Sequence, residues 1–394
     1  MNSLSEKKTE LITLIRSEIE QTFGRRVVSA GDCIQLSEEI YFKTSSRINS
    51  NTLRRFFGLV KAPFLPSAAT LNILAKYCGF ESIDDIYSVK IEKKETALVS
   101  DNGVLNYLIS IFRSTRVKDE NDETFFSLVK QTIQYIQNYP SLADKFQRAI
   151  AKTKNGQEYY FEQFVNIDKL NSFYGDGLRY YMAEKKTNYA QIFGHSVLCL
   201  RYWLTSEKEY LKKNYESLIA FKVQPSLHPV ILGRYFASLL FYNDKFHVDQ
   251  ERLSIDVRNI YSVLQPTSDK YRNIPCFELF ISQALMYTKQ FSEALFYLDQ
   301  ALAKYFNKAK GENSIHKELL LLKACCLAGM EKKKESEMIL QNISPTHFSF
   351  LNKKLNTLLF LMLSKDLNRS KSKNEDQIQT LLDDTGFVSL KSLF

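Results

Sequence analysis

The chain has 394 residues, 44% hydrophobic and 25% charged, with a formal net charge of +9. These proportions exclude a disordered chain and leave apolar side chain for about two or three domains. Only 13 Gly and 8 Pro stand against 28 Phe and 22 Tyr, which favours long helices and leaves few strands or tight turns.

The six cysteines (Cys33, Cys78, Cys199, Cys276, Cys325, Cys326) have no zinc spacing. Each sits in an apolar helical context, so free buried thiols and a reducing compartment are expected. No run of about 18 apolar residues occurs and the first residues are polar, so the expectation is a cytoplasmic protein with no membrane partner.

In chain order, residues 4–24 form an amphipathic helix with Leu11, Ile12, Ile15, Ile19 and Phe23 on one side and Gly24 as its stop. This helix either packs on the next helices of the chain or serves as a dimerisation arm. Ser29 or Asp32 caps the next helix, whose inner side is expected to hold Ile34, Leu36 and Ile40. Thr44-Ser45-Ser46 breaks it. Asn49 or Ser50 caps a short helix with Leu53, Phe56 and Phe57 on one face, and Gly58 closes it. Asn51 and Arg55 point the opposite way, flanked by Thr52 and Arg54. A Pro-bounded loop runs from Lys61 to Pro66. Ser67 then caps a helix carrying Leu71, Leu74, Ala75 and Cys78, ended by Gly79, and Ser82 starts a last turn with Ile83, Ile86 and Tyr87. From Ile40 to Phe80 there is no Asp or Glu, but there are Lys43, Arg47, Arg54, Arg55, Lys61 and Lys76. One sign of charge on a helical pattern suits a polyanion.

Leu36–Ile40, then Ile48–Gly58, then Pro66–Phe80 resemble the lambda-repressor/Cro-like helix-turn-helix, and more closely a divergent Bacteroidetes-type version of it at the N-terminus of longer chains. The turn Thr44–Asn49 and the loop around Pro63 are longer than that family's. The resemblance implies that the second helix of the pair enters the major groove of double-stranded DNA. Carried over by position, Ser50, Asn51, Thr52, Arg54 and Arg55 would read bases, and Lys43, Arg47 and Lys61 would contact phosphates. Arg suits guanine and Asn suits adenine. A motif this small implies a homodimer reading two half-sites. The alternative use of the same fold is structural, inside a non-enzymatic interaction scaffold.

Residues 90–103 read as a charged linker ending in the turn signal Asp101-Asn102-Gly103. From Val104 to about Ser364 the spacing is helical throughout, with breaks at Asn138–Pro140, Asn155-Gly156, Gly175–Gly177, Gln224-Pro225, Gln265-Pro266, Ile274-Pro275 and Ser344-Pro345. Ala284–Tyr287 followed by Phe291–Leu302 resembles a tetratricopeptide repeat, with Phe291, Ala294, Leu298 and Ala301 at the second-helix spacing. A weaker copy runs through Ala324, Leu327, Ser336, Leu340 and Ile343 to Pro345, and a third candidate leads from Tyr189–Ile192 to Leu200 and Trp203. The expected fold is therefore all-α: an N-terminal helix-turn-helix bundle over 1–92, then an α-solenoid of tetratricopeptide-like repeats over 104–364.

Such a superhelix leaves a concave surface for a peptide or protein. Tyr160, Tyr181, Arg201, Tyr202, Arg234 and Tyr235 are its candidate lining, with Tyr159, Tyr174, Tyr180 and Asn243 beside them. At helical spacing each of these aromatics also suits a core. Residues 365–376 read as a charged linker, followed by a helix around Gln377–Leu382 and an apolar end at Phe387, Val388, Leu390, Leu393 and Phe394. That end either docks on the preceding helices or plugs the groove.

No phosphate-binding glycine loop, paired-His metal motif or nucleophile elbow occurs. The histidines His195, His228, His247, His316 and His347 are scattered, Gly175-Asp176-Gly177 reads as a helix connection, and Asp383-Asp384 as a solvated turn. No enzyme activity and no cofactor or metal is expected. The sequence points to a DNA-binding regulator with a partner-binding helical domain.

Overall fold

The computed structural model describes residues 12, 15–61, 66–80, 82, 102–118, 122–264, 275–306, 313–367 and 373–393. Among them every regular element is helical, so the fold is all-α. The chain divides into two units, Met1–Val104 and Leu105–Phe394. Leu11, the loop residues 62–65, Ile83, Ile86, Tyr87, most of the 90–103 stretch and Gln265-Pro266 lie outside the described residues.

The first unit contains α1 (15–23), α2 (Ala30–Thr44), α3 (Ser50–Phe56) and α4 (Ala68–Tyr77). Ser29 caps α2: its Oγ accepts the Asp32 N–H at 3.1 Å, while Asp32 Oδ2 accepts the Ser29 N–H at 2.9 Å. Two orphan amides are thus satisfied reciprocally. Asn49 caps α3 and Ser67 caps α4 through side-chain oxygens. Gly58 (φ +78°) and Gly79 (φ +88°) take the left-handed conformation just beyond α3 and α4, which a side chain would resist.

The inner side of α2 differs from the expected one. Cys33, Leu36 and Ile40 are buried, and Ile34 is 52% exposed. Spacing of three and four residues joins 33, 36 and 40 on one stripe, and Ile34 lies about 100° off it. Ile15, Ile19, Leu53, Phe56, Leu74 and Tyr77 complete the core. Each such side chain contributes about 1.5–3 kcal/mol by leaving water. Helices as short as these are marginal alone, so packing is what holds them.

α5 (102–114) belongs to the second unit from Leu105 on and is followed there by α6 (Glu123–Asn138), a 3₁₀ turn Pro140–Leu142, α7 (Ala143–Ile150), a π-helical segment Gly156–Gln163 and a 3₁₀ turn Ile167–Lys169. Then come α8 (Phe173–Glu184), α9 (Asn188–Leu204), α10 (Lys208–Ile219), α11 (Pro229–Phe246), α12 (Gln250–Val263), α13 (Cys276–Tyr287), α14 (Phe291–Phe306), α15 (Ser314–Gly329), α16 (Lys333–Leu340), α17 (Lys353–Asp366) and α18 (Lys373–Thr385). A 3₁₀ turn, Val388–Ser392, comes after α18. From α9 onward the packing is regular. α9, α11, α13, α15 and α17 form a row in which each helix packs on the next, and each also packs on the even-numbered helix that follows it. Small residues sit where hairpins cross. Ala284, Ala294 and Ala301 are fully buried, Ser336 Oγ donates to the Ala324 carbonyl at 2.8 Å, and the Phe291 ring lies where a Cβ on Gly329 would be.

Several expected breaks are helical instead. Asn102 and Gly103 begin α5, Gly156 opens the π segment, and Gly175 and Gly177 are buried inside α8. These buried glycines are there for closeness, not for turning. A Cβ on Gly156 would lie 2.1 Å from the Ile150 carbonyl oxygen, and one on Gly177 would lie 2.5 Å from Gln147 Cδ. The expected linker at 365–376 is shorter, because α17 runs to Asp366 and α18 starts at Lys373.

Candidate functional site

The N-terminal unit presents α3 on a short, well-tied support. Thr44 Oγ1 donates to the Ile40 carbonyl at 2.7 Å, Ser45 turns the chain through φ 54°, and Ser37 Oγ donates to the Ile48 carbonyl at 2.5 Å. The turn between α2 and α3 is thereby fastened back onto α2. At the other end of α3, Arg16 of α1 donates through Nε to the Phe56 carbonyl at 2.7 Å and through Nη2 to the same oxygen, with its guanidinium over the Phe56 ring. A cation on terminal carbonyls suits the negative end of a helix. The sequence does not single out Arg16; its one signal is its place beside the Ile12–Ile15–Ile19 stripe.

Of the residues expected to read bases, Asn51 and Arg55 are exposed. Ser50 and Thr52 are half-buried. Arg54 is also half-buried: its Nη1 donates to Asn51 Oδ1 at 3.2 Å, and its Nε is sealed without a partner. Arg54 therefore orients Asn51 as much as it faces outward. The expected phosphate contacts Lys43, Arg47 and Lys61 are all exposed. Lys43 stands 4.9 Å from the Tyr77 ring, whose hydroxyl donates to Glu39 Oε2 at 2.8 Å. Arg47 lies 5.9 Å from the Tyr41 ring. Burial, with Glu39 adding to it, raises the Tyr77 hydroxyl well above the usual phenol range, so it stays a donor. Phe42, beside Lys43, is 91% exposed, which its sequence context does not announce.

In the second unit the six candidate groove residues do not form one surface. Tyr160 and Tyr181 lie in the core, 1% and 0% exposed, so no peptide can reach them. Tyr160 accepts a hydrogen bond from Gln147 Nε2 at 2.9 Å, and Tyr181 donates to Glu162 Oε1 at 2.6 Å. Arg201 pairs with Asp176 at 2.8 Å and covers Gly175. Tyr202 is buried and stacked on Tyr210, and Tyr235 is buried against Phe236. Tyr174 is core, its hydroxyl donating to the Phe161 carbonyl at 2.7 Å. Arg234 is buried between α9 and α13 without a polar partner for its guanidinium among the described residues.

No protein-family model matches the chain. No curated protein and no solved structure matches it significantly either. The residues themselves therefore carry the functional argument.

Three histidines have structural duties. His228 caps α11, His247 ends it in a left-handed conformation, and His347 completes a reciprocal cap with Ser344. Asp384 pairs with Lys354, and Asp383 accepts from Gln379 Nε2 at 2.6 Å. Among the described residues no group of three or more His, Cys, Asp or Glu is placed to hold a metal ion, and no helix is long and apolar enough to cross a membrane. The six cysteines are free thiols. Burial pushes Cys199 and Cys276 up to about 12 and Cys78 up to about 11, so these are poor nucleophiles.

Proposed function

We propose that the N-terminal unit binds double-stranded DNA through α3, and that the row α9–α11–α13–α15–α17 engages a peptide or protein partner, in a regulator that works as a homodimer. The observation that carries this reading is the exposed pair Asn51 and Arg55 within a window, Ile40 to Phe80, that has no carboxylate side chain. Lys43, Arg47 and Lys61 add exposed positive charge around it. Such a surface attracts phosphate and offers two side chains suited to base edges. The resemblance of Leu36–Phe80 to a helix-turn-helix supports the same assignment, and the helical hairpins with small residues at their crossings support a repeat-like partner domain.

Selection of bound sequences from a random duplex pool, with the full chain, tests this directly. A recovered site should appear as two half-sites about one helical turn apart. On that site, Arg55→Ala is expected to cost about 1–3 kcal/mol and to relax one base position. Lys61→Ala should instead weaken all duplexes alike and reduce the salt slope by about 0.9 per copy bound. If no sequence is enriched, or if both variants bind as the wild type does, the assigned face is wrong. The chain would then be better read as an adaptor.

A further inference from the structure

Arg234 lies in the middle of α11 and is 9% exposed. Its guanidinium carbon is 4.0 Å from the centroid of the Phe280 ring on α13 and 5.4 Å from that of Phe193 on α9. Nε is sealed from solvent and donates to nothing, and among the described residues the guanidinium makes no hydrogen bond or ion pair. Neighbouring arginines of the unit are treated differently: Arg201 has Asp176, and Arg258 has Glu293 with its Nη2 at 2.9 Å. A buried cation carries a large desolvation cost, and facing aromatic rings return only part of it. The Tyr174 phenol and the Cys276 thiol beside it are pushed up by burial, stay protonated near pH 7 and supply no counter-charge.

We propose that Arg234 is a receptor for an oxyanion, a carboxylate or phosphate group carried by the ligand of the α9–α11–α13 face, with Phe193 and Phe280 as its walls. This rests on the reading that this row of helices engages a partner. The chemistry is that of the guanidinium fork, which offers parallel N–H donors to two oxygens of one anion. The Phe280 and Phe193 rings flank the guanidinium, and with Nε sealed it is the Nη end that is left to meet an anion. Burial pushes the Arg234 guanidinium down to about 10, the direction expected of a cation that lacks its anion.

Thermal unfolding of the full chain, at matched ionic strength in chloride, inorganic phosphate or N-acetylglycine, tests the receptor. A rise of about 2–3 °C over chloride is expected at about ten times the dissociation constant. Phosphate acting alone identifies a phosphate ligand, and N-acetylglycine acting alone a carboxylate. Arg234→Met should match or exceed wild-type stability in chloride and lose the oxyanion response. Arg234→Lys keeps the charge without the fork and should respond at least about tenfold more weakly. The proposal is overturned if neither anion exceeds chloride, or if the Met or Lys variant responds as wild type. Should the Met variant fail to fold, the Lys variant decides alone. Screening a random peptide library with free carboxyl ends probes the underlying reading separately: an Arg234-dependent response with no peptide selected keeps the receptor and removes the peptide.

Discussion

Gly175→Ala is expected to lower the stability of the C-terminal unit by about 3 kcal/mol. A Cβ at this position would stand 2.0 Å from the Leu170 carbonyl oxygen and 2.7 Å from Arg201 Nη1. Arg201 is the end of a flexible side chain and can move. Leu170 is backbone, buried, and held by a hydrogen bond from its own N–H to the Ile167 carbonyl at 3.0 Å. Moving it disturbs the turn that carries Asp168, whose two carboxylate oxygens accept the N–H groups of Lys354 (2.8 Å) and Leu355 (3.1 Å) at the start of α17. The damage should therefore spread from α8 to α17. Gly103 offers the contrast. It lies in α5, and a Cβ added there would meet nothing within 4 Å, so Gly103→Ala should be neutral or stabilise by about 0.5–1 kcal/mol. Denaturant midpoints for the two variants by circular dichroism check both statements. A wild-type midpoint for Gly175→Ala would mean that the close approach is not real.

The second large effect is a loss of stability as pH rises from 5 to 8. Glu318 on α15 is buried and accepts from Asn352 Nδ2 at 2.9 Å, with the Asp168 carboxylate nearby. Burial is the largest influence on it and drives its carboxyl up to about 7 from an ordinary value of 4.5. The folded chain thus holds a proton that the unfolded chain has released. The resulting stabilisation is fully present below pH 4.5 and is lost as pH climbs through 7. It amounts to something on the order of 3 kcal/mol, at about 1.4 kcal/mol per unit. Asp168 is raised too, again by burial, and acts in the same direction. In Glu318→Gln, which stays neutral at every pH, this part of the pH dependence should disappear. Urea midpoints at pH 5, 6, 7 and 8 measure it, and parallel curves for the two proteins would refute the assignment.

The helices and their ends are largely legible in the sequence because their causes are local. Ser29, Asn49 and Ser67 announce α2, α3 and α4 as caps, and Gly58 and Gly79 close two of them. The inner stripe of α2 is displaced by one step from the expected one, since Ile34 is the more apolar residue but Cys33 has the right phase with Leu36 and Ile40. The glycines of α8 mislead for another reason. A glycine needed for a turn and a glycine needed because Gln147 or Leu170 comes close look the same in one dimension. The π segment has no sequence signature, and the grip of Arg16 on the Phe56 carbonyl joins residues forty apart. The groove candidates suffer most. Tyr and Phe are so frequent in this chain that helical spacing cannot separate Tyr160 and Tyr181, which are core, from side chains at a surface. Charge is the better guide, because a buried arginine is an exception that demands an explanation while a buried tyrosine is not.

The 3₁₀ turn after α18 has a consequence for biosynthesis. Ser389 Oγ donates to the Trp203 carbonyl at 2.5 Å and lies 2.8 Å from Ser206 Oγ, and Phe387 and Leu390 are fully buried. Residues 387–393 therefore cover the end of α9, more than 180 positions earlier. While the polypeptide is leaving the ribosome, that end of α9 must wait uncovered until residues 387–393 emerge, and a nascent chain stalled before residue 387 would offer its tryptophan end to chaperones.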